Sequence, residues 1–266
     1  MRVFKKLLVG IVALAVLAVT GSGLWLWQGL KTLETPVVLD EPTLFSVEPG
    51  TAFGQVAREL ATQGFVDDPL WLRIHGRLNP EQTLIKAGDY EFTSGMTPVD
   101  MINLMVEGKV KLWSVQFIEG WTFAEMRAAL ARTDRLTRQT TDWTDEEIMA
   151  ALGAEGQHPE GWFFPDTYLF HSGETDLDVL KRAYNIMTGV LEEEWQNREQ
   201  GLPYDSPYEA LIMASIVERE TGVAGERQQV AGVFVRRLQK GMRLQTDPTV
   251  IYGMGDKYRG RIGRSD

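Results

Sequence analysis

A carboxylate closing an apolar helix is the most chemically suggestive group in this sequence. Residues Ser206–Glu220 open with a capping serine, a proline at the first helical position and Glu209 three residues after the cap. At about 100° per residue, Tyr208, Ala210, Leu211, Ile212, Met213, Ala214, Ile216 and Val217 cover nearly the whole circumference, which predicts a buried helix. It ends Glu218-Arg219-Glu220-Thr221, and Glu218 falls among Leu211, Ala214 and Ser215. Loss of water and the negative end of the helix dipole would both raise its pKa, as a general acid requires. The structural alternative pairs Glu218 with Arg219, Arg236 or Arg237, so that it merely finishes the helix. The helix alone leaves both readings open. Glu220, about 200° further round, faces elsewhere.

Two flanking segments suit sugar recognition. Glu160-Gly-Trp-Phe-Phe-Pro-Asp-Thr-Tyr168 packs four aromatics into nine residues. Flat faces from Trp162 and Tyr168 beside the Asp166 carboxylate are what a glycan groove presents, although the cluster also fits a core. Leu244–Gly253 supplies Gln245, Thr246, Asp247 and Tyr252, polar groups suited to hydroxyl and acetamido contacts. Asp247-Pro248 otherwise reads as a simple turn. Other chemistries lack support. His75, His158 and His171 are far apart without metal-ligand spacing, and the absence of cysteine excludes disulfides, thiolate zinc sites and thiol nucleophiles. There is no Gly-x-Ser-x-Gly elbow, P-loop or dinucleotide fingerprint, so no metal and no cofactor is expected.

The elements that must position these groups alternate strand, turn and helix. Strand-like Leu44–Val47, Gly88–Phe92 and Leu112–Ile118 each lead towards a helix opened by Thr51, Thr97 or Thr122. Thr97-Pro98 and the capping box Thr122–Glu125 are the clearest of these starts. Further helices are expected over Asp142–Gly153, Leu177–Gln200 and Ala224–Lys240, with a loop over Glu155–Pro165 and a strand over Met242–Leu244. The fold class is α+β, helix-rich towards the C-terminus. Leu7–Trp27 is uncharged, and its ~21 residues reach ~31 Å, the thickness of bilayer hydrocarbon. Arg2, Lys5 and Lys6 precede it, so the positive-inside rule keeps the N-terminus cytoplasmic. A cleaved signal peptide is the competing reading. The chain carries 27 basic and 37 acidic residues, −10 in all, which argues against a nucleic-acid partner. Beyond the three N-terminal cations the balance is 24 against 37, or −13. The expected organisation is a tail over 1–6, a transmembrane helix over 7–27, a linker over 28–43, a first domain over 44–110 and a second over 111–266.

Glu160–Tyr168, Ala214–Thr221 and Leu244–Gly253 together resemble the signature stretches of the endolytic murein transglycosylases, the MltG or YceG-like family. The resemblance also takes in Pro49-Gly50-Thr51 and Gly88-Asp-Tyr90. It implies a single-pass inner-membrane protein with a LysM-like domain over 44–110 and a periplasmic catalytic domain. The implied substrate is the glycan strand of nascent peptidoglycan, cut between N-acetylmuramic acid and N-acetylglucosamine to leave a 1,6-anhydro end. Glu218 is then acid and base, and peptidoglycan synthases are implied partners. A hydrolytic muramidase with Asp247 as second carboxylate and a non-catalytic wall-binding scaffold are the rivals. Family members usually continue with Ser-Pro-Tyr-Asn-Thr-Tyr and Gly-Leu-Pro-Pro stretches. This sequence stops at Gly263-Arg264-Ser265-Asp266, so a C-terminal part of the catalytic domain is expected to be missing.

Overall fold

The structure, a computed structural model, describes residues 2–263. Met1 of the expected tail and Arg264, Ser265 and Asp266 at the chain end lie outside the described residues. The fold is mixed α+β and mostly helical, with two small antiparallel sheets among the described residues. The chain divides into two units, residues 1–112 and 113–266.

In the first unit, α1 (Arg2–Thr32) contains a stretch, Gly10–Thr32, long and apolar enough to cross a membrane. The helix outlasts the expected span, and its last turn occupies the start of the expected linker. Leu30 and Leu33 explain this, because both enter the core of the unit and Leu33 is only 1 % exposed. Gly29 permits the approach: a Cβ there would stand 2.1 Å from the Trp71 ring. Val37 then exchanges backbone hydrogen bonds with the Gly95–Met96 turn, at 2.9 and 2.8 Å, which holds the following segment as well.

β1 (Thr43–Val47) lies in the expected place. It is followed by α2 (Phe53–Thr62), α3 (Pro69–Leu78), β2 (Gly88–Phe92) and α4 (Pro98–Glu107). β1 and β2 pair with Phe45 opposite Tyr90. Phe45 stacks on Phe92 at 5.3 Å while Phe65 meets both edge-on. Thr51 does not cap α2. Its N–H closes a turn to Glu48, and the helix begins one residue later at uncapped Ala52. α3 has no counterpart in the expected elements; Asp68 caps it and Pro69 opens it. Thr97 and Asp100 form a complete capping box on α4.

The second unit runs β3 (Trp113–Gln116), α5 (Phe123–Arg132), α6 (Asp145–Ala151), β4 (Thr167–Phe170), α7 (Asp176–Gln196), α8 (Pro207–Glu220), α9 (Arg227–Gln239) and α10 (Asp247–Met254). β4 was not expected. After Pro165 the chain alternates, with Tyr168 and Phe170 buried against the sheet core and Thr167 and Leu169 outside, the period of a strand. Its core gathers residues from β3, β4, α5, α6 and α7. A smaller cluster of Met213, Ile216, Val217 and Phe234 joins α8 to α9. Met242–Leu244 forms no strand, and Asp247-Pro248 starts α10 instead of a turn, with proline in the first helical turn where its missing N–H is harmless.

Asp176 ties the loop after α5 to the head of α7. Its buried carboxylate, in a residue 5 % exposed, accepts from the N–H groups of Gln139, Thr140 and Leu177 and from the Thr140 hydroxyl. Asp176→Ala leaves those donors unpaired and should destabilise the protein by about 3 kcal/mol in urea unfolding. Asp100 and Asp178 sit below the ordinary carboxylate range. For Asp100 the chief cause is the Thr97 N–H, and for Asp178 the Thr175 hydroxyl. A depressed carboxylate stabilises above its unfolded value, about 3.9, and that stability disappears as pH falls through the lower folded value. Replacing both by Asn should flatten the loss of stability below about pH 4, read by thermal melts across pH.

Candidate active site

α8 carries the central residues. Tyr208, Leu211 and Ser215 share one side of it, with Glu218 at the edge nearest Leu211, about 20° away in projection and about 10 Å further along the axis. Three contacts fix what faces that side. Tyr208 stacks on Trp162 at 5.3 Å with the rings 4° from parallel. Leu211 lies over Gly161, whose φ of +86° demands glycine and whose absent Cβ would be 3.4 Å from the leucine. Arg219 donates to the Gly120 carbonyl at 3.3 Å.

Glu160 organises this surface. One carboxylate oxygen accepts from the Phe123 N–H at 2.8 Å, at the positive end of α5, and the other accepts from the Tyr252 hydroxyl at 3.0 Å. Loss of water pushes the Tyr252 phenol up to about 12, and the Glu160 charge and hydrogen bond add to the effect, followed by Tyr208. Tyr252 therefore stays a donor across the neutral range.

Glu218 differs from the sequence expectation in two respects. α8 is not buried all round: only Met213, Ile216 and Val217 are, while Ile212, Ala214 and Ser215 are exposed. The reason is that its neighbours α7, α9 and α10 cover part of the circumference, and the apolar residues elsewhere on it line an open surface. The Glu218 side chain accordingly remains 31 % exposed, so the expected burial is absent. Its partner is none of the three arginines considered but Arg227, at 3.0 Å. The turn between α8 and α9 makes that pairing. The Thr221 hydroxyl accepts from the Val223 N–H and donates to Glu226, which folds the chain back so that Arg227 reaches Glu218.

The remaining expected site residues divide. Trp162 and Tyr252 come together through Tyr208 and Glu160. Tyr168 is a core residue, its hydroxyl donating to the Phe164 carbonyl at 2.6 Å and its phenol raised to about 12, chiefly by burial. Thr246 is buried too, and donates to Glu220 at 2.9 Å, which pins α10 to α8. Neither presents a free group to a ligand. Asp166 is exposed and accepts from the Thr167 N–H next to it. Gln245 and Asp247 are exposed, Gln245 in the left-handed region at φ +53°. Glu160, Tyr208 and Arg227 were not singled out beforehand. Glu160 opens the Glu160–Tyr168 stretch, but only its two long-range hydrogen bonds mark it. Among the described residues no group of three or more His, Asp or Glu side chains is placed to hold a metal.

This chain belongs to the YceG-like family, whose pattern matches residues 45–266. It is 29 % identical to the endolytic murein transglycosylase of Bacillus subtilis strain 168 over 194 residues, 66 % of this chain and 53 % of that protein. It is 30 % identical over 240 residues to the protein of that name from Streptococcus pneumoniae strain D39, covering 79 % of this chain and 42 % of the other. The chain thus spans about half the length of the curated relatives it matches. A crystal structure of a yceG-like protein from Listeria monocytogenes aligns over 85 % of this chain and 80 % of that one, with 23 % identity and a TM-score of 0.45.

Removing the Glu160 charge should lower the Tyr252 titration towards the ordinary tyrosine value, because one of the causes that raise it is gone. Tyrosine carbon NMR of Glu160→Gln measures this. An unchanged Tyr252 titration in that variant contradicts the pairing.

Proposed function

We propose that the protein is a membrane-anchored lytic transglycosylase acting on peptidoglycan glycan strands, with Glu218 as its acid and base. The observation that carries this reading is the placement of Glu218. In a chain whose relatives are named endolytic murein transglycosylases, it stands at the water-reached end of a helix side that also holds the Tyr208–Trp162 stack.

In the proposed reaction, protonated Glu218 gives its proton to the oxygen joining the muramyl C1 to N-acetylglucosamine, and the C1–O bond breaks. The resulting carboxylate takes the proton of the muramyl C6 hydroxyl, whose oxygen bonds C1. The products are a 1,6-anhydro-muramyl end and a free hydroxyl on the departing N-acetylglucosamine. No water is consumed, and one carboxylate serves both steps, unlike the two-carboxylate arrangement of ordinary glycosidases. The Arg227 ion pair matches the carboxylate form of Glu218, which the first step produces and the second step uses. A glycan seated along α8 displaces the guanidinium and removes water from the carboxylate, and both changes favour the protonated acid that the first step needs. Trp162 and Tyr208 offer flat faces to the sugar rings, and Tyr252 lies beside them. Gln245 and Asp247 are the exposed groups that remain as glycan contacts.

α1 is the anchor in this reading, with the cytoplasm on the side of its N-terminal basic residues and both units in the periplasm. The unit containing residues 44–110 acts as a LysM-like glycan-holding module, and peptidoglycan synthases sharing the substrate are the partners.

The test is product release from purified glycan strands by the full chain, with mass spectrometry of the new ends. Glu218→Gln should abolish anhydro-muramyl release while leaving the melting temperature within about 2 °C of wild type, as expected for a surface change. Undiminished release from that variant, or wild-type products heavier by one water, rejects the proposal.

A further inference from the structure

α3 has a surface that the proposed glycan chemistry does not use. Leu72 and Gly76 face the core of the first unit. On the opposite side Leu70, Ile74 and Leu78 follow one another at four-residue spacing, and Leu70 and Leu78 are 37 % and 63 % exposed. Arg73 and Arg77 flank this stripe on one edge. Both are exposed, and they make no ion pair or hydrogen bond among the described residues. They also line a shallow cleft of about 250 Å³ with Phe53, Gly54, Gly76 and Thr83. The other edge of the stripe is Trp71. A surface helix with exposed leucines, an arginine edge and a tryptophan has the composition of one lying in a lipid headgroup layer.

What decides the occupant is where Trp71 sits. Its ring packs against Trp25 of α1, with centroids 4.7 Å apart, and closes over Gly29 one turn later. Trp25 belongs to the apolar stretch that is long enough to span a bilayer, near the end where aromatic rings favour headgroup depth. Lys31, over the Trp27 ring at 4.9 Å, adds a cation at the same level. No flexible segment intervenes, because α1 passes directly into the core at Leu30 and Leu33.

We infer that α3 is an interfacial helix: it lies on the bilayer that α1 crosses, sinks Leu70, Ile74 and Leu78 into the boundary between headgroups and acyl chains, and holds anionic phospholipid headgroups at Arg73 and Arg77. This rests on the anchor reading of α1. It gives the first unit a fixed seat on the membrane surface.

The chain has no cysteine, so single cysteines accept a nitroxide label cleanly. Full chains carrying Val16→Cys or Leu78→Cys are reconstituted in bilayers of phosphatidylcholine with or without phosphatidylglycerol. Collisions with oxygen and with a water-soluble nickel complex then report label depth. The Val16 label is expected in hydrocarbon. The Leu78 label is expected at headgroup depth, meeting the nickel complex several-fold less often than free nitroxide in buffer. Arg73→Glu with Arg77→Glu should expose the Leu78 label in the phosphatidylglycerol bilayers and leave it unchanged in pure phosphatidylcholine. A Leu78 label as accessible as free nitroxide while Val16 lies in lipid overturns this inference and spares the anchor. A water-exposed Val16 label overturns both. Equal effects of the double reversal in the two bilayers reject the role given to the arginines.

Discussion

The second unit depends on where one carboxylate can find its hydrogen bonds. Glu160 spans a sequence distance of 37 residues to the Phe123 N–H and 92 residues to the Tyr252 hydroxyl. A hydrogen bond to a charged acceptor contributes about 1.5–3 kcal/mol, less where water competes, so the half-buried Phe123 arm is the stronger of the two. Its geometric consequence is larger than its energy. With Glu160 held at the head of α5, Gly161 comes under Leu211 and Trp162 comes flat against Tyr208. The aromatic wall is therefore placed by a polar anchor at the head of a short, glycine-bent stretch, together with core packing that buries Phe163 and supports Trp162.

The need for such anchors follows from an uneven distribution of apolar burial. The β3–β4 sheet with α5, α6 and α7 has an extended core, whereas the α8–α10 group buries few side chains completely. It is held instead by individual pins: Arg219 on Gly120, Thr246 on Glu220, Tyr252 on Glu160 and the Tyr208–Trp162 stack. Elements with few buried contacts and exposed hydrogen bonds open locally at lower free energy than a core does. Under the proposed reaction, a surface that admits a polymer and releases Arg227 from Glu218 benefits from that looseness. The constraint on the chemistry is that the helix bearing the carboxylate keeps its own backbone intact, and Ser206, capping its first turn, serves this end.

How much of this was readable beforehand depended on whether the cause was local. The cap at Thr97 and the capping box at Thr122 were legible because each capping group and the backbone it satisfies lie within one turn. Strand Gly88–Phe92 was legible from its alternation. α3 escaped notice because a ten-residue helix with a small buried face, only Leu72 and Gly76, leaves a weak apolar period. β4 was hidden by aromatics too dense to show alternation until Pro165 set its start. The error at α8 was of another kind. Its apolar circumference was real, but a helical projection shows composition and not neighbours, so residues destined for an open surface were counted as core. Arg227 was equally out of reach, since its approach to Glu218 depends on the turn shaped by Thr221 and Glu226. Both unforeseen partners of the carboxylates, Arg227 and the Phe123 N–H, are products of tertiary geometry.

The first unit shows the converse case, in which a single small residue sets a long-range relation. Any side chain at position 29 would occupy the space of the Trp71 ring, so the union of α1 with α3 requires glycine there. Burying a side chain such as Leu30 or Leu33 contributes roughly 1.5–3 kcal/mol when complete. Together with the tryptophan pair, that exceeds thermal energy several times over, enough to hold the end of α1 in the core instead of leaving it as a tether. A tethered unit explores a volume set by its linker, whereas a unit fused to a spanning helix keeps one face towards the lipid. The helix that meets α1 is the one with leucines and unpaired arginines on its outer side. On the interfacial reading the leucines lose contact with water once the unit is held against lipid, while the arginines stay solvated at the headgroup level.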